Sequence, residues 1–170
     1  RRGRVGLVLG CVQRCFDPYV NTATIAVLQA NGWEVFIPSE QGCCGAVSHH
    51  QGEMEKTKEL AINLIKSFAS LNLQSKTIED EPLEAVLIAA SGCGHTMKSF
   101  DQITSSQATF EAPVFDVHEF LAKKGLSEEF RKSLQPLFHK DGEIANPTDP
   151  IQVVFHDACH MIHGQGIFKE

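Results

Sequence analysis

Apolar positions in this chain fall into short unbroken runs, separated by stretches in which they recur every three or four residues. Val5-Gly-Leu-Val-Leu9, Trp33 to Pro38, Ala85 to Ala90, Val114-Phe-Asp116 and Ile151 to Phe155 are the runs. Each is short enough to be a strand buried on both faces. After the first run a helix is expected, with Asp17 as N-cap and Pro18 at the first helical position, where its missing N–H costs nothing. Val20, Thr24, Val27 and Leu28 supply its inner stripe, and Asn31-Gly32 stops it. A longer helix is expected from about Glu53 to Leu71, with Ala61, Leu64, Ile65 and Phe68 inward. Its charges (Glu53, Glu55, Lys56, Lys58, Glu59, Lys66) make a solvated outer face. A short helix from about Thr96 follows, then one over Val117 to Lys124 that Gly125 ends, and a helical segment opening at Ser127. Gln74 to Pro82 reads as a polar linker, and Gln135 to Pro150 as a polar, proline-interrupted loop.

Continuous apolar strands alternating with amphipathic helices predict an α/β fold, a Rossmann-like parallel sheet flanked by helices. In such a sheet ligands bind beyond the carboxyl ends of the strands. With 170 residues, 42% of them hydrophobic, the chain can bury an ordinary single core. A formal charge of −6 gives no support to nucleic-acid binding. No apolar run approaches the roughly 20 residues needed to span a bilayer. Arg1 to Arg4 lead into only the short run Val5 to Leu9, so no secretory leader is expected.

Six cysteines in a chain with a real core do not make the dense disulfide framework of a small secreted domain. Cys11, Cys43, Cys44, Cys93 and Cys159 all follow the carboxyl end of an expected strand, so a parallel sheet would gather their loops at one edge. Cys15 does not share that position and reads as a buried apolar filler. Gly42-Cys43-Cys44-Gly45 is the unusual stretch. Adjacent side chains point apart in any regular element, so neighbouring thiols serve one site only if the backbone turns sharply, which glycine permits.

Four chemistries fit such a set. Zinc takes four cysteines or histidines, and His49, His50 and His95 lie near enough in sequence to complete a tetrahedron, although loop histidines are more often merely solvated. Dithiol redox chemistry is disfavoured by the lack of Cys-x-x-Cys. A nucleophilic Cys159 flanked by His156, Asp157 and His160 lacks any sign of an oxyanion hole. Iron–sulfur ligation suits several thiolates arriving from separate loops, with glycines that let backbone N–H groups approach sulfur.

The wording Arg2-Gly-Arg-Val5, Gly10-Cys-Val-Gln13, Gly42-Cys-Cys-Gly-Ala-Val47 and Ala90-Ser-Gly-Cys-Gly94 resembles the cysteine-rich CCG domain. That domain occurs in heterodisulfide reductase B subunits, lactate-utilisation iron–sulfur proteins and the iron–sulfur subunit of glycolate oxidase, and the match is most similar to the last. His156-Asp-Ala-Cys-His160 resembles the opening of that family's second repeat. The resemblance thus implies a first repeat over residues 1–150 and the start of a second over 151–170, broken off at Glu170, and so a fragment of a longer chain that also carries a ferredoxin-like region. It implies Cys11, Cys43, Cys44 and Cys93 as ligands of an iron–sulfur cluster of the 4Fe–4S type, cubane or noncubane, with Cys159 belonging to the second site. The five-cysteine noncubane pattern ends in Cys-x-x-Cys, whereas Gly94-His95-Thr96 follows Cys93 here, so the fifth thiol is missing.

The implied role is electron transfer in an oxidoreductase of the glycolate dehydrogenase type. A flavin-containing partner subunit oxidises a 2-hydroxy acid, and the fragment alone is inactive. The implied location is cytoplasmic, with any membrane association peripheral and through the complex. The alternatives are a zinc-holding or metal-free domain that docks partner subunits, and a thiol enzyme acting through Cys159.

Overall fold

The computed structural model describes residues 1–69, 82–134 and 158–167 of the chain. Within them the strands β1 (Gly3–Val8), β2 (Trp33–Phe36), β3 (Ala85–Ile88) and β4 (Val114–Asp116) form a wholly parallel sheet in the order β2-β1-β3-β4. The expected α/β architecture is therefore the one the chain adopts, and the carboxyl ends of all four strands lie along one edge. The expected strand at 151–155, residues 74–81 of the linker, the loop over 135–150, and His156 and Asp157 lie outside the described residues.

Alternation along the strands sends side chains into two cores. Val5, Leu7, Ala85 and Leu87 meet Leu28, Trp33, Val117 and Phe120 on one face. Val8, Val86 and Ile88 meet Ala61, Leu64, Phe68, Met97 and Phe100 on the other. Leu7, Leu28, Leu64 and Leu87 are completely shielded from solvent; each such side chain contributes about 1.5–3 kcal/mol over its exposed state. Gly6 belongs to the second face, where a Cβ would stand 2.6 Å from a ring carbon of Phe68. The missing side chain lets that helix approach the sheet.

The helices around the sheet are α1 (Cys11–Phe16), α2 (Pro18–Ala30), α3 (Ala46–His50), α4 (Met54–Ala69), α5 (Ser91–Lys98), α6 (Phe100–Ile103), α7 (Val117–Lys124) and α8 (Glu128–Ser133), with a π-helical turn at His160–Gly164. The periodic helices match expectation closely, including α7, which Gly125 ends. Asp116 caps α7 in a reciprocal capping box with Glu119.

Three details differ. Asp17 occupies the N-cap of α2 and Pro18 begins it, but the Asp17 side chain makes no capping hydrogen bond. The inner stripe of α2 is Asn21, Thr24 and Leu28, while Val20 is exposed. A buried polar Asn21 is tolerated because its amide donates to Leu9 O at 2.9 Å. The third difference is the start of α5, at Ser91 and not near Thr96. Ser91-Gly-Cys-Gly94 has poor helix propensity, but tertiary packing of these small residues overrides it.

Candidate metal centre

The loop after β1 begins with Gly10 at φ 71, which turns the chain so that Cys11 opens α1. It is pinned from two sides: Asn21 holds Leu9 O, and the Gln41 Oε1 accepts Leu9 N at 2.7 Å. Gln41 is buried and its amide also donates to Leu7 O at 3.2 Å and Pro38 O at 3.3 Å. One side chain thereby ties the end of β1 to the loop after β2. Neither Gln41 nor Asn21 stands out in the sequence, because a polar residue clamping two loops carries no local pattern.

After β2 the chain reaches Cys43 and Cys44. Gly45 adopts the left-handed conformation, φ 80 and ψ 5, and serves as N-cap of α3. A Cβ there would stand 3.3 Å from Thr57 O of α4, so both backbone angle and space call for glycine. Gly42 has no such constraint, since nothing lies within 4 Å of a Cβ built on it. The sharp turn expected from two glycines is made by one.

This turn lets neighbouring thiols act together. Cys11 Sγ donates to Cys43 Sγ at 3.4 Å. Cys43 is followed directly by Cys44, and Cys44 lies close enough to Cys93, in the first turn of α5, for each thiol to shift the other's proton affinity. The four thiols form one continuous chain across three strand-to-helix junctions. Gly45 N also donates to Cys43 Sγ at 3.3 Å. Proton positions follow the chain. The Cys44 thiol is pushed far up by donating to Cys93 and by burial, and accepting that bond pulls the Cys93 thiol down. Burial, followed by the bond to Cys43, pushes the Cys11 thiol up.

Cys159 is exposed and stands at the N-cap of the π-helical turn, outside this chain of four. Cys15 is exposed on α1, which overturns the expectation of a buried filler. It follows Cys11 by one helical turn, yet α1 buries none of its residues, so no core exists there to fill.

The histidines also differ from expectation. His50 ends α3 and His95 lies within α5, so both stand on helices and not in loops, although His50 is exposed as expected. The rings of His50 and His160 approach to 4.9 Å between centroids, those of His95 and His160 to 5.8 Å, and those of His50 and His95 to 6.4 Å. Loss of hydration, followed by the charges of His160, His49 and His95, lowers the pKa of His50. Gln165 was not foreseen either; its amide donates to Ser91 O at 2.9 Å and seats the π-helical turn on α5.

The donor set fits an iron–sulfur group. Four thiols, three of them partly buried and one buried, arrive from separate loops as a line of neighbours, and a backbone N–H already points at one sulfur; among the described residues no three of them are yet grouped around one ion position. No helix among the described residues is long and apolar enough to cross a membrane.

Several known proteins are similar to this chain. The glycolate oxidase iron–sulfur subunit of Escherichia coli is 33% identical over 167 residues, covering 98% of this chain and 37% of that protein. The probable glycolate oxidase iron–sulfur subunit of Bacillus subtilis is 30% identical over 158 residues, 93% of this chain and 32% of that one. Lactate utilization protein A of Macrococcus caseolyticus is 25% identical over 164 residues, 89% of this chain and 62% of that protein. The chain thus spans about a third of the length of the two glycolate oxidase relatives. The CCG cysteine-rich domain matches residues 5–98, which include the whole thiol chain and more than half of the sequence. The protein belongs to the CCG cysteine-rich domain family.

Proposed function

We propose that the protein is an iron–sulfur electron-transfer domain, and that Cys11, Cys43, Cys44 and Cys93 hold the cluster as thiolates. The observation that carries this reading is the unbroken line of four thiols from Cys11 to Cys93, beginning with the 3.4 Å contact between Cys11 and Cys43. When bound, such a cluster supplies reversible one-electron storage at a potential set by charge, hydrogen bonds to sulfur and solvent exposure. The chain's own residues supply the last two. Gly45 N donates to sulfur, and Val8, Ile88 and Met97 close the inner side against water.

The relatives' names extend the reading to a glycolate oxidase-like complex. In it a flavin-containing subunit oxidises a 2-hydroxy acid and electrons leave through this domain towards an acceptor. The cluster is of the 4Fe–4S type. Residues 151–170 open a second repeat to which Cys159 belongs, and the first repeat ends at 150. The test is reduction by the partner. The longer chain, loaded anaerobically and mixed with its flavin subunit, is expected to lose absorbance near about 400 nm when the 2-hydroxy acid is added. Reduction of the flavin with the cluster band unchanged would contradict the relay.

A further inference from the structure

The three clustered histidines come from three elements. His50 ends α3, His95 is carried by α5, and His160 opens the π-helical turn. Two positions along a helix are ~200° apart around its axis, so His95 leaves α5 on the side away from Cys93. None of the three rings is paired with a carboxylate among the described residues, and His95 Nδ1 is buried with no hydrogen-bond partner. Among the described residues these imidazoles are collected without acids, and one of them keeps a stranded ring nitrogen.

Their spacing has a specific meaning. Centroid separations of 4.9, 5.8 and 6.4 Å describe a nearly regular triangle. Its centre lies ~3.3 Å from each ring centroid, close to the ~3.2 Å expected when a ring nitrogen sits about 2.0–2.1 Å from zinc. The geometry points to a second metal site, distinct from the thiols, in which His50, His95 and His160 take one divalent zinc-like cation. Three neutral imidazoles with an open fourth position suit zinc and its borderline neighbours, not magnesium or calcium. Among the described residues no three such side chains are already closed into a coordination sphere, so binding turns the rings about χ2 until they converge. The packing limits that turn at one position. Gly164 lies against the His95 ring so closely that a Cβ there would stand 2.5 Å from His95 Nδ1.

Such an ion would staple the π-helical turn to α3 and α5, joining the segment around Cys159 to the helices that follow Cys44 and Cys93. It needs no cluster and makes no use of the thiols.

The test is zinc affinity, measured by competition with a chromogenic chelator, on the anaerobically reconstituted chain, whose thiols the cluster occupies. Variants His50→Ala, His160→Ala, Gly164→Ala and Cys44→Ser are compared with the parent. Zinc affinity is expected to fall at least tenfold in both histidine variants and in Gly164→Ala, and to survive in Cys44→Ser. Cobalt in place of zinc is expected to give visible ligand-field bands without a thiolate charge-transfer band. His50 is exposed, so its removal leaves the fold standing. No zinc binding by the parent, unchanged affinity in His50→Ala and His160→Ala, or loss of zinc in Cys44→Ser would each overturn the proposal. Iron and sulfide contents read the thiol site separately, and are expected to stay at the parent level in the histidine variants.

Discussion

Cys11 and Cys43, thirty-two residues apart, hold their Sγ atoms 3.4 Å from each other, and the line of thiols continues through Cys44 to Cys93. The sheet makes this possible. β1, β2 and β3 are adjacent and parallel, so the junctions that follow them open at neighbouring points of one edge. A ligand set built this way should depend on each thiol and on the turn that aims two of them.

The first consequence concerns the ligands. Cys43→Ser is expected to lower cluster iron severalfold or more in anaerobically reconstituted protein, with the far-ultraviolet circular dichroism unchanged. Cys15→Ser is the control: that thiol is exposed and outside the line of four, so iron content should match the parent. Equal loading of both variants would remove Cys43 from the ligand set.

The turn makes its own prediction. Gly45 is left-handed at φ 80 and a Cβ would press on Thr57 O at 3.3 Å. Gly45→Ala should cost about 1–2 kcal/mol for the backbone angle alone, read as a lower urea midpoint. Gly42→Ala has open space around it and should leave the midpoint nearly unchanged. A reversed order would show that the wrong glycine has been assigned the turn.

Gly6 tests the packing of α4 on the sheet. A methyl group there meets the Phe68 ring at 2.6 Å. Gly6→Ala should destabilise by about 1–3 kcal/mol, and Gly6→Ala combined with Phe68→Leu should recover part of that loss. Simple additivity of the two substitutions would rule out the contact as the cause.

The Asp116 cap of α7 brings a pH dependence. Asp116 Oδ1 accepts His118 N at 2.9 Å and meets the His118 ring at 3.1 Å, and that ring bond raises the His118 pKa above its ordinary value of 6.5. The contribution is complete below about 6.5 and is lost as pH rises through the raised value. Glu119 works in the opposite sense. Burial pushes its carboxyl up, but Lys98 at 2.6 Å and Lys123 at 2.9 Å outweigh it and bring the pKa below 4.5. Its contribution is complete above about 4.5 and is lost as acid carries the pH down through the lowered value. Asp116→Ala should cost about 1 kcal/mol through the lost cap and abolish the decline on the alkaline side of pH 6.5. A thermal midpoint that still falls there would assign the decline to another group.

Much of this was legible in the chain. Unbroken apolar runs such as Ala85 to Ile88 announce strands buried on both faces, and four of the five expected strands lie in the described sheet. The placement of Cys11, Cys43, Cys44 and Cys93 after strand ends was enough to gather them at one edge. The short helices α1, α3 and α6 were not legible, because four to six residues carry too little periodicity to register. The start of α5 was hidden by Gly92 and Gly94, whose propensity speaks for a loop while packing makes a helix. Gln41, Gln165 and the histidine triangle depend on contacts between residues far apart in sequence, about which local pattern says nothing.

The most direct measurement of the central claim is iron and acid-labile sulfide, determined together on the anaerobically reconstituted chain and on its Cys44→Ser variant. The account predicts iron and sulfide in near-equal amounts in the parent and a large loss of both in the variant. A parent chain that takes up iron without sulfide, or a variant that retains both in full, would contradict it.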